Sequence, residues 1–166
     1  MHNFLRQLFL IIIFACSVST QSTSSEKIKS FFSNSALNIE SSSLEIIDSE
    51  KKGIFRGQVR IVNEDALLAT DNLILHYSFD DITDDIQVEK IICEGNVLIE
   101  YESQVITSLN AVYDAGTNQL VFSDEVIISR DEGNAIKADK VSIDLNTMRI
   151  KMDSKSRVKA FITPNN

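Results

Sequence analysis

The side chains with most capacity for chemistry are the carboxylates of Asp80-Asp81-Ile82-Thr83-Asp84-Asp85, the densest charge run in the chain. Hard oxygen ligands of this kind hold calcium, but calcium loops space them at alternating positions around a glycine. The run has neither feature and reads as a solvated connection. Glycosidase-type acid and base work needs two carboxylates facing each other across a cleft. The other Asp and Glu residues scatter over turns and outward strand positions, so their spacing supplies no such pair. His76 lies between Leu75 and Tyr77, on the strand face opposite Leu75, as a surface residue would. No serine sits in the glycine-flanked elbow of a hydrolase, and no glycine-rich loop could cradle a phosphate. Cys93 falls at an inward strand position and reads as a small buried hydrophobe. These residues point away from an enzyme and away from any metal or cofactor.

The elements that carry them are strands built on a repeat. Phe55-Arg56-Gly57-Gln58-Val59-Arg60-Ile61 aligns with Cys93 to Ile99 and with Phe122 to Ile128, apolar at every second position. A second half-unit follows each copy: Leu68-x-Thr70-x-x-Leu73-x-Leu75, then Ile106-x-Ser108-x-x-Ala111-x-Tyr113, then Ile136-x-Ala138-x-x-Val141-x-Ile143. A partial copy, Ile39-x-Ser41-x-x-Leu44-x-Ile46, precedes them all. The spacing i, i+2, i+5, i+7 holds one extra residue in the middle. Both apolar halves stay on one face only if the strand turns a corner there, as at a β-bulge. Repeated at Ser41, Thr70, Ser108 and Ala138, the corners stack into one folded edge.

The predicted strands run over Leu37 to Asp48, Gly53 to Asn63, Ala66 to Phe79, Ile86 to Tyr101, Gln104 to Asp114, Gln119 to Ser129, Asn134 to Leu145, Met148 to Met152 and Arg157 to Thr163. Glycine, asparagine and aspartate turns join them as antiparallel hairpins. The single proline, Pro164, lies beyond the last strand and removes no ladder donor. The expected fold is all-β: two bent sheets around an apolar interior, a sandwich or jelly roll. Gly57 and Gly95 mark either strand kinks or places where another group approaches closely. The inward row comprises Phe55, Val59, Ile61, Leu68, Leu73, Leu75, Ile91, Val97, Ile99, Tyr101, Ile106, Val126, Ile128, Ile136, Val141, Ile143 and Ile150. It is either plain core or one uninterrupted apolar trough.

Length and composition bound the rest. A chain of 166 residues with 43% hydrophobic and 24% charged residues suits one folded domain. Arg6 precedes the apolar run Leu8 to Ala15, and small polar residues follow it, which reads as a cleaved secretory signal over residues 1–19. The run is too short for the ~20 residues that span a bilayer. Cleavage after Ser17 or Ser19 fits, and a lipoprotein signal with acylated Cys16 is the rival, poorly matched by the bulky Phe14. Residues 20–36 read as a loose leader, and 37–164 as the folded domain. The formal charge is −8, which loss of Arg6 takes to −9, so nucleic acid phosphates would be repelled. With Cys16 removed only Cys93 remains, and the exported chain can form no internal disulfide.

These residues resemble the LptA/OstA-like family of periplasmic lipopolysaccharide-transport proteins. The resemblance rests on the signal segment, on Ile39 to Ile46, and on Phe55-Arg56-Gly57-Gln58-Val59 with Leu68-Ala69-Thr70-Asp71-Asn72-Leu73. It continues through Gly95-Asn96-Val97, Ala111-Val112-Tyr113-Asp114, Ile136-Lys137-Ala138-Asp139-Lys140-Val141 and the closing Arg157 to Pro164. Asp124 stands where a third glycine would repeat, and Thr70 and Ser108 replace the alanine usual at the corner. What the resemblance implies is an open, twisted antiparallel β jelly roll in the periplasm that binds lipopolysaccharide and bridges the inner and outer membranes. The inward residues named above, without Ile91, Tyr101 and Ile150, would hold the lipid A acyl chains. Implied partners are LptC-like inner-membrane and LptD-like outer-membrane proteins and further copies of the chain, joined head to tail at the edge strands. The alternatives are a structural envelope domain assembling by strand addition without lipid, a membrane-anchored LptC-like adaptor, and an enzyme acting on envelope carbohydrate.

Overall fold

The computed structural model describes residues 37–63, 66–83, 85–130 and 133–162. The predicted signal and leader, and Thr163 and Pro164, lie outside the described residues. Ten antiparallel strands form one sheet: β1 (Ile39–Glu40), β2 (Ser43–Ile47), β3 (Lys52–Asn63), β4 (Ala66–Phe79), β5 (Ile86–Tyr101), β6 (Gln104–Asp114), β7 (Gln119–Arg130), β8 (Asn134–Asp144), β9 (Arg149–Asp153) and β10 (Lys159–Phe161). From β3 to β8 each strand pairs with the next in sequence, the meander that the closely spaced turn signals predict. A single 3-10 turn, Asp48–Glu50, is the only helical element among the described residues.

Every ladder from β3 to β8 slips at the same level. Gly57 and Gln58 of β3 lie opposite Asp71 alone, Gly95 and Asn96 of β5 opposite Leu109 alone, and Asp124 and Glu125 of β7 opposite Asp139 alone. All six of the paired residues have positive φ, between 45° and 82°. Two successive left-handed residues swing a strand sharply, and the right-handed strand resumes on the other side. On β4 and β6 the corner is tied by side chains. The hydroxyls of Thr70 and Ser108 donate to the carbonyls two residues on, Asn72 at 3.3 Å and Asn110 at 2.9 Å. Ser41 makes the same bond to Ser43 at 3.0 Å, where the chain passes from β1 to β2.

The corner divides the sheet into two halves. One contains β2, the first part of β3, the second part of β4 and so on to β9; the other begins with β1 and ends with β10. Among the described residues no helix covers the apolar face, yet Val59, Ile61, Leu73 and Phe122 are 0% exposed. A sheet achieves that without a covering layer by folding on itself, so the two halves face each other as bent leaves around a shared core. Each large side chain so enclosed stabilises the fold by about 1.5–3 kcal/mol.

The predicted strand positions hold from β3 to β9. Leu37 to Asp48 is two short strands rather than one, because Ser41 and Ser42 turn the corner. Of the predicted strand Arg157 to Thr163, the described residues 157–162 pair only at Lys159–Phe161, with β8. Both outer edges of the sheet are therefore made of short pieces, one piece to each leaf.

Candidate functional site

The interior is built from rows that run across the strands. In one leaf Ile39, Ile61, Leu68, Ile99, Ile106, Ile128, Ile136 and Ala160 are successive cross-strand partners, from the first edge to the last. In the other, Leu44, Phe55, Leu73, Cys93, Ala111, Phe122, Val141 and Met152 form a second row. Ile46, Gly53, Leu75, Ile91, Tyr113, Leu120, Ile143 and Ile150 form a third. Val59, Val97 and Val126 lie at the corner, paired with Thr70, Ser108 and Ala138. Alternation along each strand creates the rows, and the hairpin registers align them.

All fourteen residues expected to bind lipid therefore share this one interior face. Eleven are buried; Phe55, Leu75 and Ile136 are half-buried. In this conformation they pack on one another and on residues outside the expected set, notably Leu120, Phe122 and Tyr113. Leu120 and Phe122 stand in alternation on β7, so periodicity alone could have placed them. The rows end at both edges in exposed apolar side chains, Leu44 and Ile46 at the first and Ile150 at the last.

The corner hydroxyls of Thr70 and Ser108 and the Cys93 thiol are buried, while the charged side chains of the described residues lie outside. Burial pushes the Cys93 thiol up to about 12, so it stays protonated and inert. Asp80 is held below the usual carboxylate range by N–H donors of Thr83 and Ile82, so it caps its own turn. Asp114, Asp139 and Asp144 are lowered in the same way by backbone donors of Thr117, Lys155 and Asn146. Among the described residues no three His, Cys, Asp or Glu side chains gather as a metal site would need. An open outer cleft is lined by His76, Ser78, Gln87, Lys90 and Asp114. A second is lined by Glu125, Lys137, Asp139, Arg157 and Lys159 near the last edge.

The described residues thus form a bent antiparallel sheet around a largely apolar interior, and known proteins share this form. The family described as LptA/(LptD N-terminal domain) LPS transport protein matches residues 38–149. The chain belongs to this family. Its LptA-like architecture is seen also in the crystal structure of LptH, the LptA homologous periplasmic component of the lipopolysaccharide transport device from Pseudomonas aeruginosa. The likeness has a TM-score of 0.64 at 16% identity and covers 80% of this chain and 99% of LptH. No curated protein matches by sequence. Membership places the chain among lipopolysaccharide-transport proteins rather than enzymes.

Proposed function

We propose that this chain is a periplasmic carrier that takes the acyl chains of lipopolysaccharide between its two leaves and passes them toward the outer membrane. The observation that supports this most directly is the continuity of the three apolar rows from edge to edge. A lipid lying along them would leave its sugars in water while its chains cross the protein without meeting solvent. Each methylene so sheltered is worth ~0.8 kcal/mol, and a chain of about a dozen carbons ~10 kcal/mol. Because the rows are packed on themselves here, loading requires the leaves to part at the margin opposite the corner. Their joint at the corner is a natural hinge.

The split edges favour assembly with LptC-like and LptD-like partners and with other copies, head to tail by strand addition. Between Arg149 and Lys159 the last edge carries five cations and one carboxylate, a net +4 on a chain of −8. Near the first edge Arg56 pairs with Glu45, and Lys51 and Lys52 pair with Asp48 and Glu50, which leaves that side without excess positive charge. A cationic edge on an acidic molecule steers a second copy toward one end.

The closed packing also suits a structural envelope domain that assembles through its edges and carries no lipid. Photo-crosslinking separates the two. A photo-reactive side chain at inward Ile99 should capture lipid A species in the native envelope, while one at outward Leu98 on the same strand should not. If neither position captures lipid A, and mass spectrometry finds none co-purifying with the protein, the carrier function is wrong and the structural one stands.

A further inference from the structure

Strands β4 and β5 overshoot the sheet. Lys52, the first residue of β3, pairs with His76, and Asp114, the last of β6, pairs with Lys90. Beyond that level Tyr77, Ser78 and Phe79 pair only with Val88, Gln87 and Ile86. Three further pairs at about 3.3 Å per residue carry this two-stranded ribbon roughly 10 Å past its neighbours. The ribbon is braced at its root and along one face. Tyr77 N–H donates to the Lys51 carbonyl at 3.0 Å, the Tyr77 and Phe79 rings meet edge to face at 5.6 Å, and the Lys51 ammonium lies 5.0 Å from the Phe79 ring centre.

A bulge at Glu89 sets what the ribbon presents. Without it, strict alternation inward from Ile91 would put Glu89 and Gln87 on the interior face. With it, Val88 and Ile86 continue the face of Ile91, opposite Tyr77 and Phe79. Val88 packs against the core. Exposure then rises outward, to 40% at Phe79 and 64% at Ile86. The interior face thus continues along the ribbon through Val88 onto exposed Phe79 and Ile86, with the Lys51 ammonium beside the Phe79 ring.

We infer that the ribbon of Tyr77–Phe79 paired with Ile86–Val88 is a loading lip, on which a single acyl chain is laid before it slides between the leaves. The inference rests on the carrier function proposed above. Continuity with the interior identifies the occupant as cargo bound for that interior. The carboxylates of Asp80, Asp81 and Asp85 at the tip oppose docking on an anionic bilayer surface. A chain touched by the lip only in passing gains speed in both directions and no final affinity.

The test is stopped-flow binding of N-dansyl dodecylamine, an uncharged twelve-carbon probe, to the wild type and to Phe79→Ser and Ile86→Ser. Both positions are exposed enough for the fold to persist, which unchanged urea midpoints verify. Association and dissociation should each slow by about five-fold, the contact energy of one partly shielded apolar side chain, with Kd unchanged. Unchanged rates in both variants, with the probe still bound, overturn the lip and leave the carrier function standing. A wild type that binds no probe overturns both. Loss in the variants of sedimentation with neutral phosphatidylcholine vesicles would assign the ribbon to a bilayer. Loss of self-association would assign it to a second copy. Either result overturns the lip.

Discussion

The corner column makes a sharp energetic prediction at Gly95. Its φ of +82° is open to glycine, and an alanine there incurs roughly 1–2 kcal/mol of left-handed strain. The added Cβ would also lie 2.5 Å from Asp71 Oδ2, too close for any real contact, and a tight 3.1 Å from its Cβ and Cγ. Asp71 must then swing away from the Asn96 side-chain amide, which donates to it at 2.8 Å. That exposed bond is worth about 0.5–1.5 kcal/mol. Gly95→Ala should therefore destabilise by about 2–3 kcal/mol, which at ~2 kcal/mol per molar lowers the urea midpoint by about 1–1.5 M. In an Asp71→Ala background the carboxylate clash and the bond are already gone and only the tight 3.1 Å approach to Cβ remains, so the same substitution should lose mainly the strain component. At Asp124, where φ is 64°, glycine relieves strain but gives up the bond from the Asn110 amide at 3.1 Å, so Asp124→Gly should change stability by less than about 0.5 kcal/mol. A midpoint shift under ~0.3 M for Gly95→Ala, or an equal effect in both backgrounds, would refute the left-handed corner.

Three further outcomes follow from the same geometry. Thr70→Val keeps the shape but removes the hydroxyl that reaches the carbonyls of Gly95, Glu94 and Asn72, and should destabilise by about 1–2 kcal/mol in thermal unfolding. The Cys93 thiol, pushed up to about 12, should resist a disulfide reagent at pH 8 and react once urea unfolds the chain. Asp80, Asp114, Asp139 and Asp144 have folded pKa values below their unfolded value of ~3.9, so the stability they add is complete above that value and is lost as pH falls through the folded ones. Urea midpoints should accordingly hold between pH 7 and 5 and fall below pH 4, the loss smaller in Asp144→Asn.

The sequence disclosed the corner through one set of strands and concealed it in the other. On β4, β6 and β8 the three-residue step, as from Thr70 to Leu73, breaks alternation and is visible to periodicity. On β3, β5 and β7 the step from Phe55 to Val59 preserves parity, so two left-handed residues leave no trace in the hydrophobic pattern. Gly57 and Gly95 hinted at them, but Gln58, Asn96, Asp124 and Glu125 adopt positive φ only because the neighbouring strands require it. The glycines prove to be both things at once, a kink and a close approach, with Ser42 packed on Gly57 and Asp71 on Gly95. The hydroxyls of Thr70 and Ser108, which stand in place of the usual alanine, tie the corner. Inward residues were legible strand by strand. The edge-to-edge rows were not, because they depend on hairpin registers that alternation does not encode.

A packed interior and a carrier function are compatible if loading is an exchange rather than a filling. The side chains that an acyl chain would touch, Leu73, Ile99 or Val126, already bury one another, so parting the leaves gives up apolar contact before the lipid restores it. The net affinity is then a difference between two large apolar terms of similar size. Such near balance lets cargo leave as well as enter, whereas a rigid, dry cavity would retain it. In such an exchange the corner would keep the leaves joined, through backbone and hydroxyl bonds that need not break if the opposite margin opens. Stiffness at the corner and looseness at the margin should accordingly appear together in hydrogen exchange. Amides flanking Thr70, Ser108 and Val126 should keep their protection when lipid binds, and those flanking Ile99, Ile106 and Ile128 should change; protection that changed at the corner instead would place the hinge elsewhere.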